Sequence, residues 1–224
     1  GFVASLRKGS LKFQFAQLCV THMTLLLIIL QGHCIINNIL HGMFWFVVPA
    51  GLVIINDIFA YLCGITFGKT QLISISPKKT VEGFVGAWIC TTISSFALVY
   101  AFSSMNYFIC PVNDNFYSNI FSHIECDPNS VFIPQVYRLP TFLIDILHKE
   151  YIQVKPVYFH SMVIATFASL IAPFGGFFAS GLKRAFKIKD FGDTIPGHGG
   201  ITDRMDCQFL MGSFSYLYYE TFIS

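Results

Sequence analysis

Charge is what this sequence has least of. Asp, Glu, Lys and Arg make up 12% of its 224 residues, about half the share usual in globular proteins. The formal net charge is only +2, which excludes a basic nucleic-acid-binding domain and gives no sign of a strong polyanion partner. Cysteine occurs seven times without regular spacing, so the chain is not a disulfide scaffold. No internal repeat or low-complexity tract is evident. After Gly1 there is no charged n-region with a cleavage site, and the chain is expected to be a piece of a longer membrane protein. In place of charge the sequence carries 54% hydrophobic residues and 25 Phe, with a mean hydropathy of +0.61. That composition excludes a disordered chain and most soluble enzymes.

A membrane crossing needs roughly 20 mostly apolar residues. Five stretches qualify: Leu11–Leu30, Ile39–Gly64, Gly83–Phe102, Val157–Ser180 and the shorter Cys207–Ile223. The alternative is a set of buried helices in a soluble protein, but four such long, low-charge runs exceed what a soluble core needs. The expected fold is therefore all-α, a polytopic transmembrane bundle. Basic residues assign its sides. Arg7, Lys8 and Lys12 precede the first span; Lys69, Lys78 and Lys79 separate the second from the third; Lys183, Arg184, Lys187, Lys189 and Arg204 separate the fourth from the fifth. These eleven of the fourteen Lys and Arg fall on one face, which the rule makes cytoplasmic. The other face receives a short turn at Gln31–Asn38 and a long loop, Ser103–Pro156.

That loop is polar only in part. Phe116, Tyr117, Phe121, Phe132, Tyr137, Phe142 and Ile146 could pack it onto the membrane surface. It contains Cys110 and Cys126, for which a disulfide and two free thiols are equally open readings. It has no Asn-x-Ser/Thr sequon.

The polar residues gather in two cytoplasmic segments. In Gly68–Gly83, Ser76 followed by Pro77 predicts a helix N-cap and first helical residue, placing Lys78 and Lys79 in the first turn. Cations there oppose the helix dipole, and a bound anion would reverse that cost. A plain anchor at the lipid headgroups fits the spacing equally well. Ser180–Asp206 holds five basic and four acidic side chains. Lys183 and Lys187 share a helix face, as do Asp203 and Asp206. Pro196, Gly197, Gly199 and Gly200 break the helix and allow close backbone approach to a ligand. Paired carboxylates suit Mg²⁺, which keeps several waters and takes substrate phosphates as further ligands. Neighbouring cations suit a polyphosphate. Together they point to metal-assisted phosphoryl transfer; a self-neutralising juxtamembrane charge cluster is the bland alternative. Asp57 lies within a span, where an ionisable residue is a functional-site candidate by default. Asn56 beside it adds a neutral ligand or hydrogen-bond partner. Glu220 reads as interfacial. His22, His33, His41, His123, His148 and His160 read as structural, and Cys63, Cys90 and Cys207 as packing residues.

Ser180–Asp206 closely resembles the signature of phosphatidate cytidylyltransferases, the CDP-diacylglycerol synthases. Ser180, Lys183, Arg184, Lys189, Asp190, Gly192, Pro196, His198, Gly199, Gly200, Asp203, Arg204 and Asp206 fill it without a gap, thirteen positions over 27 residues. Asn56-Asp57, Gly68-Lys69 and Ser76-Pro77-Lys78-Lys79-Thr80-x-Glu82-Gly83 resemble the family's other cytoplasmic motif. Pro173–Ser180, Met205–Gln208 and the long loop look like the eukaryotic branch. The resemblance runs from about Asn56 onward, and implies that residues 1–224 are the C-terminal part of one membrane-embedded domain, with further spans before them and residues 103–156 as a non-cytoplasmic loop.

The resemblance implies an integral membrane enzyme of the endoplasmic reticulum that makes CDP-diacylglycerol and pyrophosphate from CTP and phosphatidate, with Mg²⁺ as cofactor. Asp190, Asp203 and Asp206, with Asp57, would hold metal. Lys183 and Arg184 join the first three as catalytic residues. Ser76, Lys78, Lys79, Thr80, Ser180, Lys189, His198, Gly199, Gly200 and Arg204 would bind substrate phosphates. The expected partners are the two substrates, membrane lipid and a second copy of the chain; nucleic acid is not among them. The rival readings are a CTP-dependent polyprenol kinase and an ion or lipid transporter.

Overall fold

The structure, a computed structural model, describes residues 2–73, 76–112, 126–138, 150–192, 194 and 199–224, with the side chains of residues 4, 5, 73 and 76–78 left out. The apolar runs become helix. α1 (Leu11–Thr24), a π-helical stretch (Leu25–Leu30) and α2 (Gln31–Leu40) follow one another directly, then α3 (Phe44–Phe67). A hairpin of β1 (Gln71–Ile73) and β2 (Ser76–Thr80) leads into α4 (Val81–Phe102) and the short α5 (Asn106–Ile109). A second hairpin, β3 (Gln135–Arg138) with β4 (Tyr151–Val154), precedes α6 (Val157–Leu170), α7 (Pro173–Ala185) and α8 (Thr202–Phe222). Among the described residues, Lys8–Leu40, Phe44–Phe67, Val81–Phe102 and Val157–Ala185 are long and apolar enough to cross a membrane. The fifth expected span lies in α8, a more polar helix of 21 residues, about 31 Å long at 1.5 Å per residue.

Two local expectations are corrected. Gln31–Asn38 is not a turn: those residues are helical, and the chain reverses after them at Gly42, whose φ is +133°. Asn37 Nδ2 donates to His33 O at 3.0 Å, and Asn38 Nδ2 reaches Gly212 O on α8 at 2.8 Å. Nor does a helix begin at Ser76–Pro77. Ser76–Thr80 pairs antiparallel with β1, Gln71 opposite Thr80 and Ile73 opposite Ser76. A two-stranded hairpin has only edge strands, so it tolerates Pro77. The N-cap is Thr80, extended at φ −116°, ψ 151°, and its Oγ1 accepts from Gly83 N at 3.2 Å. Lys78 and Lys79 are strand residues, and the helix-dipole argument does not apply to them.

Small residues set the packing. The buried positions of α4 are Gly83, Ala87, Thr91, Ser95 and Val99, a four-residue repeat along one face. Such a stripe lets helix backbones approach closely, and α3 lies antiparallel beside it. The opposite faces carry exposed Ile54, Ile58, Leu62 and Ile65 on α3 and Val85, Ile89 and Ile93 on α4, the pattern expected of lipid-facing surface. Gly212 lets α2 meet α8, because a side chain there would strike Ile35. Pro49 inside α3 lacks the N–H that would bond the Trp45 carbonyl. Ser215 Oγ on α8 donates to that carbonyl instead, at 3.0 Å. Gln208 Nε2 adds a bond to Ala50 O at 3.1 Å, so polar side chains stitch α8 to its neighbours. α1 buries none of its residues.

In the long loop Cys110 and Cys126 are disulfide-bonded, with Cα atoms 5.9 Å apart. Phe132 is buried against Phe44 and Trp45, with ring centroids 4.9 and 6.0 Å away. Asn129 Nδ2 donates to Ile223 O at 3.1 Å. These contacts pack part of the loop onto the helix ends. Phe116, Tyr117, Phe121, Phe142, Ile146, His123 and His148 lie outside the described residues. His160 is structural, its Nδ1 2.8 Å from Tyr218 Oη.

Candidate active site

The two motif segments meet at one end of the bundle. There α3 stops, α4 starts, and glycines bring them together: a Cβ on Gly83 would meet Ala60 O at 2.8 Å and Gly64 Cα at 2.9 Å. Gly175 does the same between α7 and α8, where a Cβ would lie 2.7 Å from Asp206 O. Lys79 links the segments. Its Nζ stands 4.6 Å from the centre of the Phe177 ring on α7, within cation–π range. Asp57 interacts electrostatically with both Lys79 and Asp206. Residues far apart in sequence, from α3, β2 and α8, therefore share one site.

Three cavities are lined by the elements that meet here. One of about 300 Å³ is bordered by Asn56, Asp57, Tyr61, Lys79, Thr80 and Pro173. A second, of about 370 Å³, is lined by Ser180, Lys183, Arg184, Lys187, Ile188 and Lys189. Four cations and a hydroxyl make it a fitting place for phosphate. Lys187 turns the chain there with φ +55°. The third, about 440 Å³, is mostly apolar and runs between the Thr24–Gln31 stretch, α7 and α8; Phe174, Phe178 and Leu182 line it, and Asp206 borders it.

The acidic residues divide into two pairs. Asp203 is engaged within the protein: Oδ1 accepts from Lys183 Nζ at 2.7 Å, and Oδ2 accepts from the amides of Phe191 at 2.8 Å and Gly200 at 3.1 Å. Burial pushes its carboxyl up, but the Lys183 ammonium and the two amides outweigh that and hold it below its usual range. Asp190 packs beside it against Gly199, where a Cβ would sit 3.1 Å from the Asp190 Cγ. Gly199 has φ +85°, which favours glycine. Gly199 and Gly200 are buried against these carboxylates. Asp206 and Asp57 are the other two, and each borders a cavity. Asp206 Oδ1 accepts from Cys207 N at 2.7 Å, and Oδ2 lies beside Gly176.

Among the described residues no three His, Cys, Asp or Glu come together closely enough to hold a metal ion. The four aspartates expected as ligands are thus not one cluster. Mg²⁺ asks for less: one or two carboxylates, waters and substrate phosphates. Asp57 and Asp206 offer that set. Beside Asp57, Asn56 Oδ1 is buried without a hydrogen-bond partner, a further oxygen of the right chemistry.

The remaining expected residues are accounted for as follows. Thr80 spends its hydroxyl oxygen on the helix cap. Arg184 and Lys189 are exposed at the basic cavity, and Arg204 is exposed on the first turn of α8. His198 and the side chains of Ser76 and Lys78 lie outside the described residues. Sequence reasoning gave no role to Glu82 or Phe177. It also missed the apolar cavity, although Phe174, Phe178 and Leu182 recur every four residues and so mark one helix face.

Comparison with known proteins identifies the family. A family model described as Cytidylyltransferase family matches residues 2–222. The phosphatidate cytidylyltransferase of Saccharomyces cerevisiae is 66% identical over 223 residues, covering all of this chain and 49% of the yeast protein. Human phosphatidate cytidylyltransferase 1 is 51% identical over 99% of this chain and 48% of its own length. The Arabidopsis thaliana phosphatidate cytidylyltransferase 1 is 48% identical over 99% of this chain and 52% of its own. The chain spans about half the length of the curated relatives it matches. With the signature segments converging at one end of an apolar helical bundle and a family match over nearly every residue, the chain belongs to the cytidylyltransferase family.

Proposed function

We propose that this chain carries the active site of an enzyme that transfers the cytidylyl group of CTP to phosphatidate, releasing pyrophosphate and forming CDP-diacylglycerol. The observation that carries the reading is that Lys79 meets α7 at Phe177, a helix that lines both a basic cavity and an apolar one bordered by Asp206. A polyphosphate and a lipid need those two environments side by side. The names of the relatives point to the same reaction.

In this reading a phosphate oxygen of phosphatidate attacks the α-phosphorus of CTP. The bond from that phosphorus to the bridging oxygen breaks, and pyrophosphate leaves with the electron pair. No protein nucleophile is needed, because the lipid supplies it. Lys79, Arg184, Lys187 and Lys189 offset phosphate charge, so catalysis is mostly positioning and electrostatic stabilisation. Mg²⁺ bound at Asp57 and Asp206 would neutralise charge on the nucleotide phosphates. Acyl chains would lie along Phe174, Phe178 and Leu182. In this reading the site faces the cytoplasm, the side the positive-inside rule gives to its cations, and the membrane is that of the endoplasmic reticulum, as the family resemblance implies.

The test is full-length protein in phosphatidate-containing micelles with Mg²⁺ and CTP labelled at the α- or γ-phosphorus. Label from the α position in lipid, with γ label in pyrophosphate, is the expected result. Label from the γ position in lipid would make the enzyme a lipid kinase and overturn the reading.

A further inference from the structure

We propose that Glu82 is a positioning residue: its carboxylate clamps the base of the β1–β2 hairpin and so sets where Lys79 and Thr80 stand. The inference rests on the cytidylyl-transfer reading above and adds to it a residue that touches no substrate.

Glu82 sits in the first turn of α4, where the helix dipole favours an anion. Its side chain turns back to the chain entering the hairpin. Oε2 accepts from Lys69 N at 3.1 Å and Thr70 N at 3.1 Å, while Oε1 accepts from Thr70 Oγ1 at 2.7 Å. Val81 N donates to Thr70 O at 3.0 Å. Residues 69–70 are thus zipped to residues 81–82 across the base of the hairpin.

The hairpin needs that fastening. An isolated two-stranded ribbon is marginal in water, and this one has an irregular register between Gln71 and Ile73. Its base is also tightly packed: a Cβ on Gly68 would lie 2.7 Å from Thr80 Oγ1. Loosening residues 69–70 therefore frees the strand that ends at Thr80. Lys79 is one residue before that point, and its reach to Phe177 and Asp57 depends on where the strand ends. Charge-assisted bonds to two amides and a hydroxyl are strong enough to hold it.

The experiment is steady-state kinetics on the full-length protein, varying CTP and phosphatidate separately, for Glu82→Gln, Lys79→Ala and the double variant. Glutamine keeps the shape and loses the charge. Glu82→Gln should raise KM about tenfold for whichever substrate Lys79→Ala also affects, the scale of one charge-assisted bond. The double variant should be no worse than Lys79→Ala alone, because Glu82 acts through that lysine. Thr70→Ser should behave as wild type and Thr70→Val should shift the same KM in the same direction, which checks the clamp without touching Glu82. Multiplying effects in the double variant, or an unchanged KM in Glu82→Gln and Thr70→Val, would overturn the inference alone. A wild-type protein that puts no α label into lipid overturns the functional reading, and this inference with it.

Discussion

Lys183 Nζ donates to Asp203 Oδ1 at 2.7 Å, with the two side chains 18% and 5% exposed. The pair joins the end of α7 to the first turn of α8, and the Phe191 and Gly200 amides close around the same carboxylate. Asp203 thereby organises the loop between the two helices. Asp206, one helical turn later, borders a cavity instead. Two aspartates that look equivalent in the motif are set apart by their partners.

Substitution should separate them. Asp206→Asn should lower turnover at least about a hundredfold, the scale of one lost transition-state interaction of roughly 2.7 kcal/mol, and leave the thermal midpoint near wild type. Asp203→Asn should lose about 1.5–3 kcal/mol of stability, as for a hydrogen bond to a charged group. The native carboxyl is held below its usual range. Its contribution is therefore complete above the unfolded value of about 3.9 and fades as pH falls through the native one. The stability gap between wild type and Asp203→Asn should accordingly close in acid. Thermal unfolding in detergent across pH, beside turnover at neutral pH, checks both; a fully active Asp206→Asn would remove Asp206 from the chemistry.

Gly175→Ala should damage activity although it adds only a methyl group. The new carbon would lie 2.7 Å from Asp206 O, so α7 and α8 must part and Asp206 must move. Overpacking of this kind costs about 1–3 kcal/mol. Gly181→Ala is the control, because nothing lies within 4 Å of its Cβ position. Equal activity in the two variants would show that the α7–α8 contact does not position Asp206.

The Cys110–Cys126 bridge spans 16 positions. A closed loop of that size stabilises by about 3 kcal/mol in the chain-entropy estimate. Replacing both cysteines by serine should lower the unfolding midpoint while leaving KM for CTP unchanged, because the bridge belongs to the loop at the far end of α4. A changed KM with an unchanged midpoint would contradict that separation.

Sidedness can be read with an impermeant thiol reagent in sealed microsomes, using a background in which Cys19 is serine. Thr70→Cys and Thr194→Cys should react from the cytoplasmic side, and Gln135→Cys only after the membrane is opened. Reaction of Thr70→Cys and Thr194→Cys from opposite faces would break the shared site.

The helices of this fold are legible in the sequence because hydropathy is a local, additive property. Gly83–Phe102 reads as a span without knowledge of its neighbours, and α4 differs from it by two residues at one end. The family is legible for a similar reason: the motif spacing over Ser180–Asp206 is a property of one short stretch. Where local reading failed, a distant partner decided the outcome. Gln31–Asn38 reads as a turn until helix packing places Asn38 against Gly212 O. Ser76-Pro77 looks like a helix start until β1 pairs with it and Thr80 takes the cap.

The same division holds inside the site. Composition and spacing already pointed to a membrane bundle with its cations gathered on one face, since charges are few and nearly all the cations fall into three groups. Which aspartate is tied to a lysine, which glycines are buried against carboxylates, and that Lys79 stands over Phe177 beside Asp57 were decided by helix packing. Each of those facts depends on the distance between residues tens of positions apart. Such distances follow from how whole helices pack, and no window of sequence contains them.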